Sequence, residues 1–506
     1  MLAYAVLLSI YSIPGFPTAP QTSVHWPWLG NKPVSEDGFY MLTVADNIAR
    51  TGHIVYNYGR PATGIQPLST FVFAGIAWLV HRMHASEWTF IRAMILEGTA
   101  LFVCFAWGVG FFVASLAPQN KRKLAFTFAF FLTLFDYDLF RLFTYGLETG
   151  IYLCLQAACL CISLRMMQQG KSSWRQVLLL GILGGAAGLA RIDFGILFAI
   201  LLLWMLIRRV LRPLQMLTCG SLALIITAPW FLFVRSVSGS WLPSSGHAES
   251  RLMSATDFSR IGSMTNSVSV HLFPWIYSHL PRQACLALTV VSLAGIAALL
   301  LRAPQTRTAW LRRYLADIAP WIAGALSLVA IYLLGFAATM FYPRYISLIF
   351  LLAVPITALL FAEQPGIAAR PALVLGPISL LFVFYCYSTL HTGLVGNNLL
   401  IDAGYIRQYY PDAHVASFQS GTIGFFDRNV ENLDGKLNDD ALKAIAEHRM
   451  GDYLDRAGIN VLVEWPGYIS ENFSPEYIAR VWQPCPQPMY PGGGVCLIRR
   501  STLSTP

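Results

Sequence analysis

The strongest chemical signal in the sequence is a pair of neighbouring carboxylates, Glu36 and Asp37, which opens an amphipathic helix. Four apolar residues follow at helical spacing, namely Phe39, Leu42, Ala45 and Ile48. The exposed N–H groups at a helix N-terminus attract negative charge, so they favour the ionised form of both carboxylates. An ionised carboxylate in this position can act as a general base on a hydroxyl group. An ordinary helix cap is the alternative interpretation of the pair.

A third carboxylate, Glu148, lies in the run Gly-Leu-Glu-Thr-Gly-Ile-Tyr at 146–152, at the head of an apolar segment. An acidic group at the edge of an apolar helix is costly and is typical of a functional site. A solvated helix N-terminus with a favourable charge is the alternative. We therefore predict Asp37, Glu36 and Glu148 as the catalytic residues.

These carboxylates belong to a chain that is too apolar for a water-soluble enzyme of its size. The 506 residues include 56% hydrophobic and 12% charged side chains, with a mean hydropathy of +0.54. An ordinary soluble domain has about 25% charged residues, and the same numbers exclude a disordered chain. The composition predicts a polytopic α-helical membrane protein. The net charge of +9 does not indicate nucleic-acid binding, because Lys and Arg form short clusters between apolar spans.

About eleven segments are apolar enough to cross the membrane as helices. They are residues 2–12, 88–117, 124–143, 147–166, 177–190, 194–207, 214–234, 284–301, 318–336, 346–361 and 371–390. Four basic clusters, at 121–123, 165–175, 208–212 and 302–313, should all be cytoplasmic. All four clusters lie on the cytoplasmic side only if segment 67–83 does not cross the membrane and lies along its surface as an amphipathic helix. The N-terminus is then cytoplasmic and the C-terminus extracytoplasmic.

This topology predicts a membrane domain at 1–390 and a small soluble α/β domain at 391–506, outside the cytoplasm. The first outer loop, 13–87, carries the Glu36–Asp37 pair and interfacial helices. In the C-terminal domain, the patterns predict strands at 414–418 and 460–464 and a helix at 439–457. Cys485 and Cys496 flank a Pro-Gly-Gly-Gly turn. A hairpin there would allow a disulfide, and two half-buried reduced thiols are the alternative.

Several arginines fall on the outer side, against the usual distribution of basic residues in membrane proteins. Three of them, Arg141, Arg191 and Arg344, are candidates for binding a phosphate. The guanidinium of Arg344, in the run Tyr-Pro-Arg-Tyr, suits two parallel hydrogen bonds to phosphate oxygens. Arg191 has an alternative, which is to pair with Asp193 alone.

Five runs of residues, in this order and at this spacing, resemble a known family. They are the segment 36–68 that starts with Glu-Asp-Gly-Phe-Tyr, the run at 146–152, Ala-Arg-Ile-Asp at 190–193, Arg-Tyr at 344–345, and the tail segment 421–435. Together they resemble bacterial GT-C glycosyltransferases, which are membrane enzymes dependent on polyprenyl-phosphate sugars and include arabinofuranosyl- and mannosyltransferases. Glu36 stands where the first Asp of an Asp-Asp pair is more common in that family.

The resemblance implies that Asp37 is the general base on an acceptor hydroxyl. It also implies that a sugar moves, with inversion at its anomeric carbon, from a polyprenyl-phosphate donor to a glycan or lipid acceptor. We assign five more residues to the substrate pocket, namely Tyr40, His53, Gln66, His247 and Tyr345. Neither histidine has metal-ligand spacing, so no cofactor is predicted, and a need for a divalent metal stays open.

Two other classes of function stay open. A transporter or lipid flippase would favour charges in the middle of spans and related repeats in the two halves of the chain. A non-catalytic envelope-assembly protein would retain the fold without the chemistry. For all three, the predicted location is the bacterial inner (cytoplasmic) membrane.

Overall fold

The computed structural model describes residues 16, 34–251, 259–272, 282–302, 305–336, 339–392, 398–491 and 493–500. The predicted first span, 2–12, lies outside the described residues. As far as Tyr409 the described chain is helical. Its helices are α1 Glu36–Thr51, α2 Pro67–Arg82, α3 Glu87–Leu116, α4 Arg122–Leu134, α5 Tyr137–Thr144, α6 Thr149–Gln169, α7 Trp174–Ala190, α8 Phe194–Ile207, α9 Pro213–Ser238, α10 Ser244–Arg251, α11 Ser259–Leu272, α12 Arg282–Arg302, α13 Gln305–Asp317, α14 Ala319–Gly335, α15 Tyr342–Tyr345, α16 Leu348–Glu363, α17 Pro365–Ala369, α18 Ala372–Thr392 and α19 Asn398–Tyr409.

Three of the described helices, α3, α6 and α9, are long and apolar enough to cross a membrane. A fourth span results if Trp310–Asp317 and Ala319–Gly335, which meet at 56°, count as one bent helix. Others, such as α7, α8 and α16, are apolar but shorter. The number of about eleven crossing helices therefore stays a prediction.

The predicted span at 124–143 is two helices, α4 and α5. The break falls at Asp136, whose carboxylate accepts a hydrogen bond from the Leu139 amide at 2.9 Å and so caps α5. A carboxylate that begins a new helix ends the continuous apolar run, which hydropathy alone did not reveal.

A five-stranded mixed sheet follows α19. Its strands are β1 Val415–Ser417, β2 Val430–Asn432, β3 Val461–Glu464, β4 Trp482–Pro484 and β5 Val495–Arg499, in the spatial order β2-β1-β3-β5-β4. β1 is parallel to β2 and β3, whereas β5 is antiparallel to β3 and β4. The connecting helices are α20 Ser420–Phe426, α21 Asp439–Ala446, α22 Met450–Arg456, α23 Pro466–Asn472 and α24 Pro475–Val481.

The strands predicted at 414–418 and 460–464 are confirmed as β1 and β3. The single helix predicted at 439–457 is wrong, because the chain turns between α21 and α22. His448 there has a φ of 54°, in the left-handed region that ends a helix. A disulfide bond joins Cys485 and Cys496, whose Cα atoms are 5.4 Å apart, at the end of the β4–β5 hairpin where the connecting loop begins.

The C-terminal region packs directly on α1. Phe425 and Phe426 of α20 belong to the same buried apolar cluster as Phe39 of α1. Beside this cluster, the hydroxyl of Tyr56 donates to Ser420 O at 2.7 Å. The sheet is therefore held against the helix that carries the predicted catalytic carboxylates.

Candidate active site

The N-terminus of α1 meets the turn before α6 at two glycines. Ser35 caps α1, since its hydroxyl oxygen accepts a hydrogen bond from the Gly38 amide at 3.0 Å and its own amide donates to Tyr145 O at 3.0 Å. A Cβ on Gly38 would lie 2.1 Å from Tyr145 O, and Gly146 has a φ of 74°, in the left-handed region. These glycines allow the close approach that brings the first two carboxylate motifs together.

Asp37 lies between two cations. Its Oδ1 accepts a hydrogen bond from Lys436 Nζ at 3.1 Å, and its Oδ2 lies 3.9 Å from Nη1 of Arg344. Burial raises the pKa of the Asp37 carboxyl, but the charges of Lys436 and Arg344 outweigh this effect and bring the pKa below its usual value. Asp37 is therefore an ionised carboxylate at neutral pH.

Arg344 is buried and keeps unused hydrogen-bond donors. Its guanidinium lies 5.0 Å from the ring centroids of both Phe341 and Tyr345, and its Nε lies 3.7 Å from Glu148 Oε1. Within the described part of the chain, Nε and Nη1 of Arg344 have no hydrogen-bond partner. Buried donors without acceptors are costly, and phosphate oxygens are suitable acceptors. Arg344 thus has the properties expected of an anion-binding residue.

Arg191 is, by contrast, engaged by other side chains. Its Nη1 donates to Glu148 Oε1 at 2.5 Å, and its Nη2 donates to Asp193 Oδ2 at 2.9 Å. Nη2 also donates to the hydroxyl of Tyr332 at 2.7 Å. The pairing with Asp193, one of the two interpretations of the sequence, is present, and Glu148 is a further partner. Arg191 therefore has fewer donors to offer a ligand than Arg344 has.

Glu148 is fully buried behind the two arginines. Its Oε1 faces both Arg191 and Arg344, and its Oε2 has no hydrogen-bond partner among the residues described. It does not line the cavity that Asp37 lines. A buried carboxylate that compensates two arginines is placed to orient them, so this position supports a positioning role for Glu148.

Asp37, Arg344 and Lys436 line one cavity of about 140 Å³, together with Arg191 and Asp193. Most of the remaining wall is apolar. It consists of Tyr40, Met41, Gly64, Ile65, Gln66, Pro67, Leu147, Leu189, Ile192, Leu242, Pro243, Ser245, Gly246, Tyr332, Phe336, Tyr345 and Leu437. Three cations thus face two carboxylates beside an apolar surface. A lipid-like molecule with an anionic headgroup matches this combination.

Glu36 points away from this cavity, although it precedes Asp37 in the chain. Its carboxylate accepts hydrogen bonds from the Gly421 amide, from the Thr422 amide at 2.9 Å and from the Thr422 hydroxyl at 2.5 Å. Burial raises its pKa to about 7, against the opposing effect of these hydrogen bonds. Glu36 does not line the cavity. Its position therefore supports a role in holding α20 against α1, and the structure does not bring it to the site of the predicted chemistry.

The remaining predicted site residues fall into two groups. Tyr40, Gln66 and Tyr345 line the cavity. His53 does not, because it lies exposed just beyond the end of α1. His247 also lies off the wall, with its Nε2 2.9 Å from Ser240 Oγ. The structure thus brings three of the five predicted pocket residues together.

Arg141 is the predicted phosphate ligand that the structure places elsewhere. It does not line the cavity. Its Nη1 donates to Asp138 Oδ1 at 3.5 Å, and its guanidinium lies 5.2 Å from the ring centroid of Tyr145. These partners lie within one short segment around α5, so local pairing explains the outer-side charge of Arg141.

Lys436 is the functional candidate that sequence analysis missed. It follows the tail segment 421–435, which carries the family resemblance, but no spacing in the sequence relates it to Asp37, 399 residues away. Only the packing of the sheet against α1 brings the two side chains together. No group of three or more His, Cys, Asp or Glu side chains within the described ranges is arranged to hold a metal ion.

The sequence matches no family model and no curated protein. Among solved structures, the chain is similar to ArnT from Cupriavidus metallidurans bound to undecaprenyl phosphate, with a TM-score of 0.57, 13% identity and coverage of 100% of this chain and 98% of that chain. The apo state of the same ArnT gives a TM-score of 0.54, 14% identity and the same coverage. A third similar structure is AglB from Archaeoglobus fulgidus, an oligosaccharyltransferase in complex with an inhibitory peptide and a dolichol-phosphate. Its TM-score is 0.47 and its identity 11%, with coverage of 100% of this chain and 74% of that chain. The likeness to ArnT extends over the whole chain and confirms the predicted fold: this protein has the GT-C fold.

Proposed function

We propose that this protein is an inverting glycosyltransferase that moves a sugar from a polyprenyl-phosphate donor to a hydroxyl group of a cell-envelope acceptor. One observation carries the proposal. The ionised carboxylate of Asp37 lies 3.9 Å from Nη1 of Arg344, in a cavity whose remaining wall is mostly apolar. Among the described residues, Nε and Nη1 of Arg344 have no hydrogen-bond partner. The shared fold adds support, since ArnT has been solved with undecaprenyl phosphate bound.

The two charged groups suit the two ends of the reaction. Asp37 accepts the proton of the acceptor hydroxyl while the hydroxyl oxygen attacks the anomeric carbon of the sugar. The bond from that carbon to the phosphate oxygen breaks, and its electron pair stays on the phosphate. Arg344, whose Nε–H and Nη1–H have no hydrogen-bond acceptor within the described ranges, stabilises the charge that develops there. A single displacement of this kind inverts the anomeric centre.

Location and topology form part of the same proposal. The cavity and the C-terminal domain, 391–506, face the outside of a bacterial inner membrane, and the membrane domain, 1–390, crosses it about eleven times with a cytoplasmic N-terminus. The basic clusters between the apolar segments support this orientation. The long apolar helices α3, α6 and α9 support the membrane location.

Mass spectrometry of cell-envelope glycans, with and without the gene, tests the proposal. We expect loss of one sugar substituent without the gene and its return with the wild-type gene. Arg344→Met should fail to restore the substituent. Arg141→Met, a matched change of an arginine outside the cavity, should restore it. Unchanged glycans without the gene, or full restoration by Arg344→Met, would contradict the proposal.

A further inference from the structure

The proposed chemistry leaves one difficulty at Asp37. A general base works best when its pKa lies near the operating pH. The charges of Lys436 and Arg344 hold the pKa of Asp37 below its usual value, even against the opposing effect of burial. With both cations beside it, Asp37 is therefore ionised but weakly basic. A donor that drew these cations away would make the same carboxylate a stronger base.

Lys436 is held firmly at its backbone. Its amide donates to Asp434 Oδ1 at 2.8 Å, and its carbonyl oxygen accepts a hydrogen bond from Ser244 Oγ at 2.6 Å. A Cβ on Gly64 would lie 1.8 Å from that carbonyl oxygen, so the loop before α2 presses against it. One contact within the loop and contacts from two other segments thus fix the backbone from which the side chain of Lys436 extends.

The ammonium group of Lys436 has several charged and aromatic neighbours. It donates to Asp37 and lies 5.6 Å from the ring centroid of Phe341, the ring that Arg344 also covers. Asp434 interacts with it electrostatically as well. From α1, the carboxyl group of Glu36 lies near enough to Asp37 for the two groups to interact electrostatically. Lys436 also lines the cavity, so it reaches the space that a headgroup would occupy.

Resting on the proposed function, we propose that Lys436 is a positioning residue whose ammonium group pairs with Asp37 before the donor binds and transfers to the donor phosphate when it binds. A lysine suits this exchange, because its compact charge sits on a stem of four methylene groups and makes no fixed two-pronged contact. Its anchored backbone keeps both partners within reach. Asp37, freed from one cation, then takes the acceptor proton. The loop after β2 thereby contributes a cation to a site whose other charged residues, Asp37, Arg191, Asp193 and Arg344, come from the helical region.

Binding of undecaprenyl phosphate in detergent micelles to the purified full-length chain tests the exchange. Lys436→Met should weaken binding about tenfold, the loss of one charged hydrogen bond. Lys436→Arg, which keeps the charge, should restore most of the affinity. Lys443→Met is the matched control, since Lys443 is exposed on α21 and outside the cavity, and it should bind as the wild type does. Thermal midpoints verify that each variant is folded.

A double-mutant cycle with Asp37→Asn separates exchange from simple attraction. Removing the carboxylate should tighten binding in every background, because its repulsion of the phosphate disappears. The gain should be larger when Lys436 is present, since the lysine no longer has to leave Asp37. An equal gain in the Lys436→Met background overturns the exchange, and so does wild-type affinity of Lys436→Met itself.

Arg344→Met distinguishes the failure of this inference from failure of the proposed function. Weaker binding in both Lys436→Met and Arg344→Met, with coupling in the cycle, supports both. Weaker binding in Arg344→Met alone overturns the role of Lys436 and leaves the proposed function intact. Weaker binding in Lys436→Met alone, with coupling, supports the exchange and removes Arg344 from the phosphate site. Absence of binding by the wild type overturns both.

Discussion

Glu36 and Asp37 are adjacent in the chain, yet their carboxylates have different partners. Glu36 accepts hydrogen bonds from Gly421 and Thr422 of α20, whereas Asp37 pairs with Lys436 and lines the cavity. Successive residues of a helix point about 100° apart, which is enough to separate the two side chains. The two carboxylates of the pair are therefore separated in the structure, one lying between α1 and α20 and the other at the proposed reaction site.

Asp37→Asn should abolish sugar transfer and leave the protein folded. Asparagine keeps the size of the side chain but cannot take the acceptor proton. We expect a loss of about 10²–10⁴-fold in rate, measured with a purified lipid-linked donor, and a nearly unchanged thermal midpoint. Full transfer by this variant would remove Asp37 as the base.

Glu36→Gln should change how stability depends on pH. The pKa of Glu36 is raised to about 7 in the folded protein, from a usual value of 4.5. Below pH 4.5 the group is protonated in both states. Between pH 4.5 and 7 the unfolded chain loses this proton first, so the folded state loses stability as the pH rises, by up to about 3 kcal/mol in total.

The glutamine variant lacks this titration. Its thermal midpoint, measured in detergent from pH 4.5 to 7.5, should fall less with rising pH than that of the wild type. We also expect it to retain more transfer activity than Asp37→Asn, because Glu36 does not line the cavity. If the stability of the wild type and of the glutamine variant changed with pH in the same way, Glu36 would not have a raised pKa in the folded protein.

Glu148→Gln should lower both stability and the rate of transfer. Arg191 and Arg344 would lose their shared buried counter-charge, and the loss of one partner of a buried ion pair destabilises by about 3–5 kcal/mol. Glu87→Gln is the control, since Glu87 pairs with Arg407 at 2.8 Å in a partly exposed position, where such pairs contribute about 1 kcal/mol or less. Similar thermal midpoints for the two variants would show that Glu148 does not compensate the arginines.

Gly64→Ala should impair the site without a change to any charged residue. The new Cβ would lie 1.8 Å from Lys436 O, so the loop that carries Lys436 must shift. A displacement of about 1 Å can reduce a rate up to about 10²-fold. In Gly75→Ala, within α2, the new Cβ would have no atom of the described residues within 4 Å, so this variant serves as the control. Sugar-transfer assays on both variants test this prediction. Equal activity would mean that the close contact between Gly64 and the Lys436 backbone is unimportant for transfer.

Local sequence patterns were sufficient to predict the class of fold and several of its elements. Hydropathy and capping are properties of short segments, so the apolar helices, the strands at β1 and β3 and the amphipathic α1 follow from the residues alone. The motifs around Asp37, Glu148 and Arg344 also predicted the GT-C fold, because their order along the chain carries that information.

The pairing of the charged groups depends on contacts between segments that are distant in the chain. It separates Glu36 from Asp37, retains Arg141 beside Asp138, and brings Lys436 to a carboxylate 399 residues away. No local pattern encodes such pairings, because they depend on how the sheet packs against α1 and on the close approach at Gly38. The electrostatics of the site, and with it the basicity of Asp37, is thus a consequence of packing.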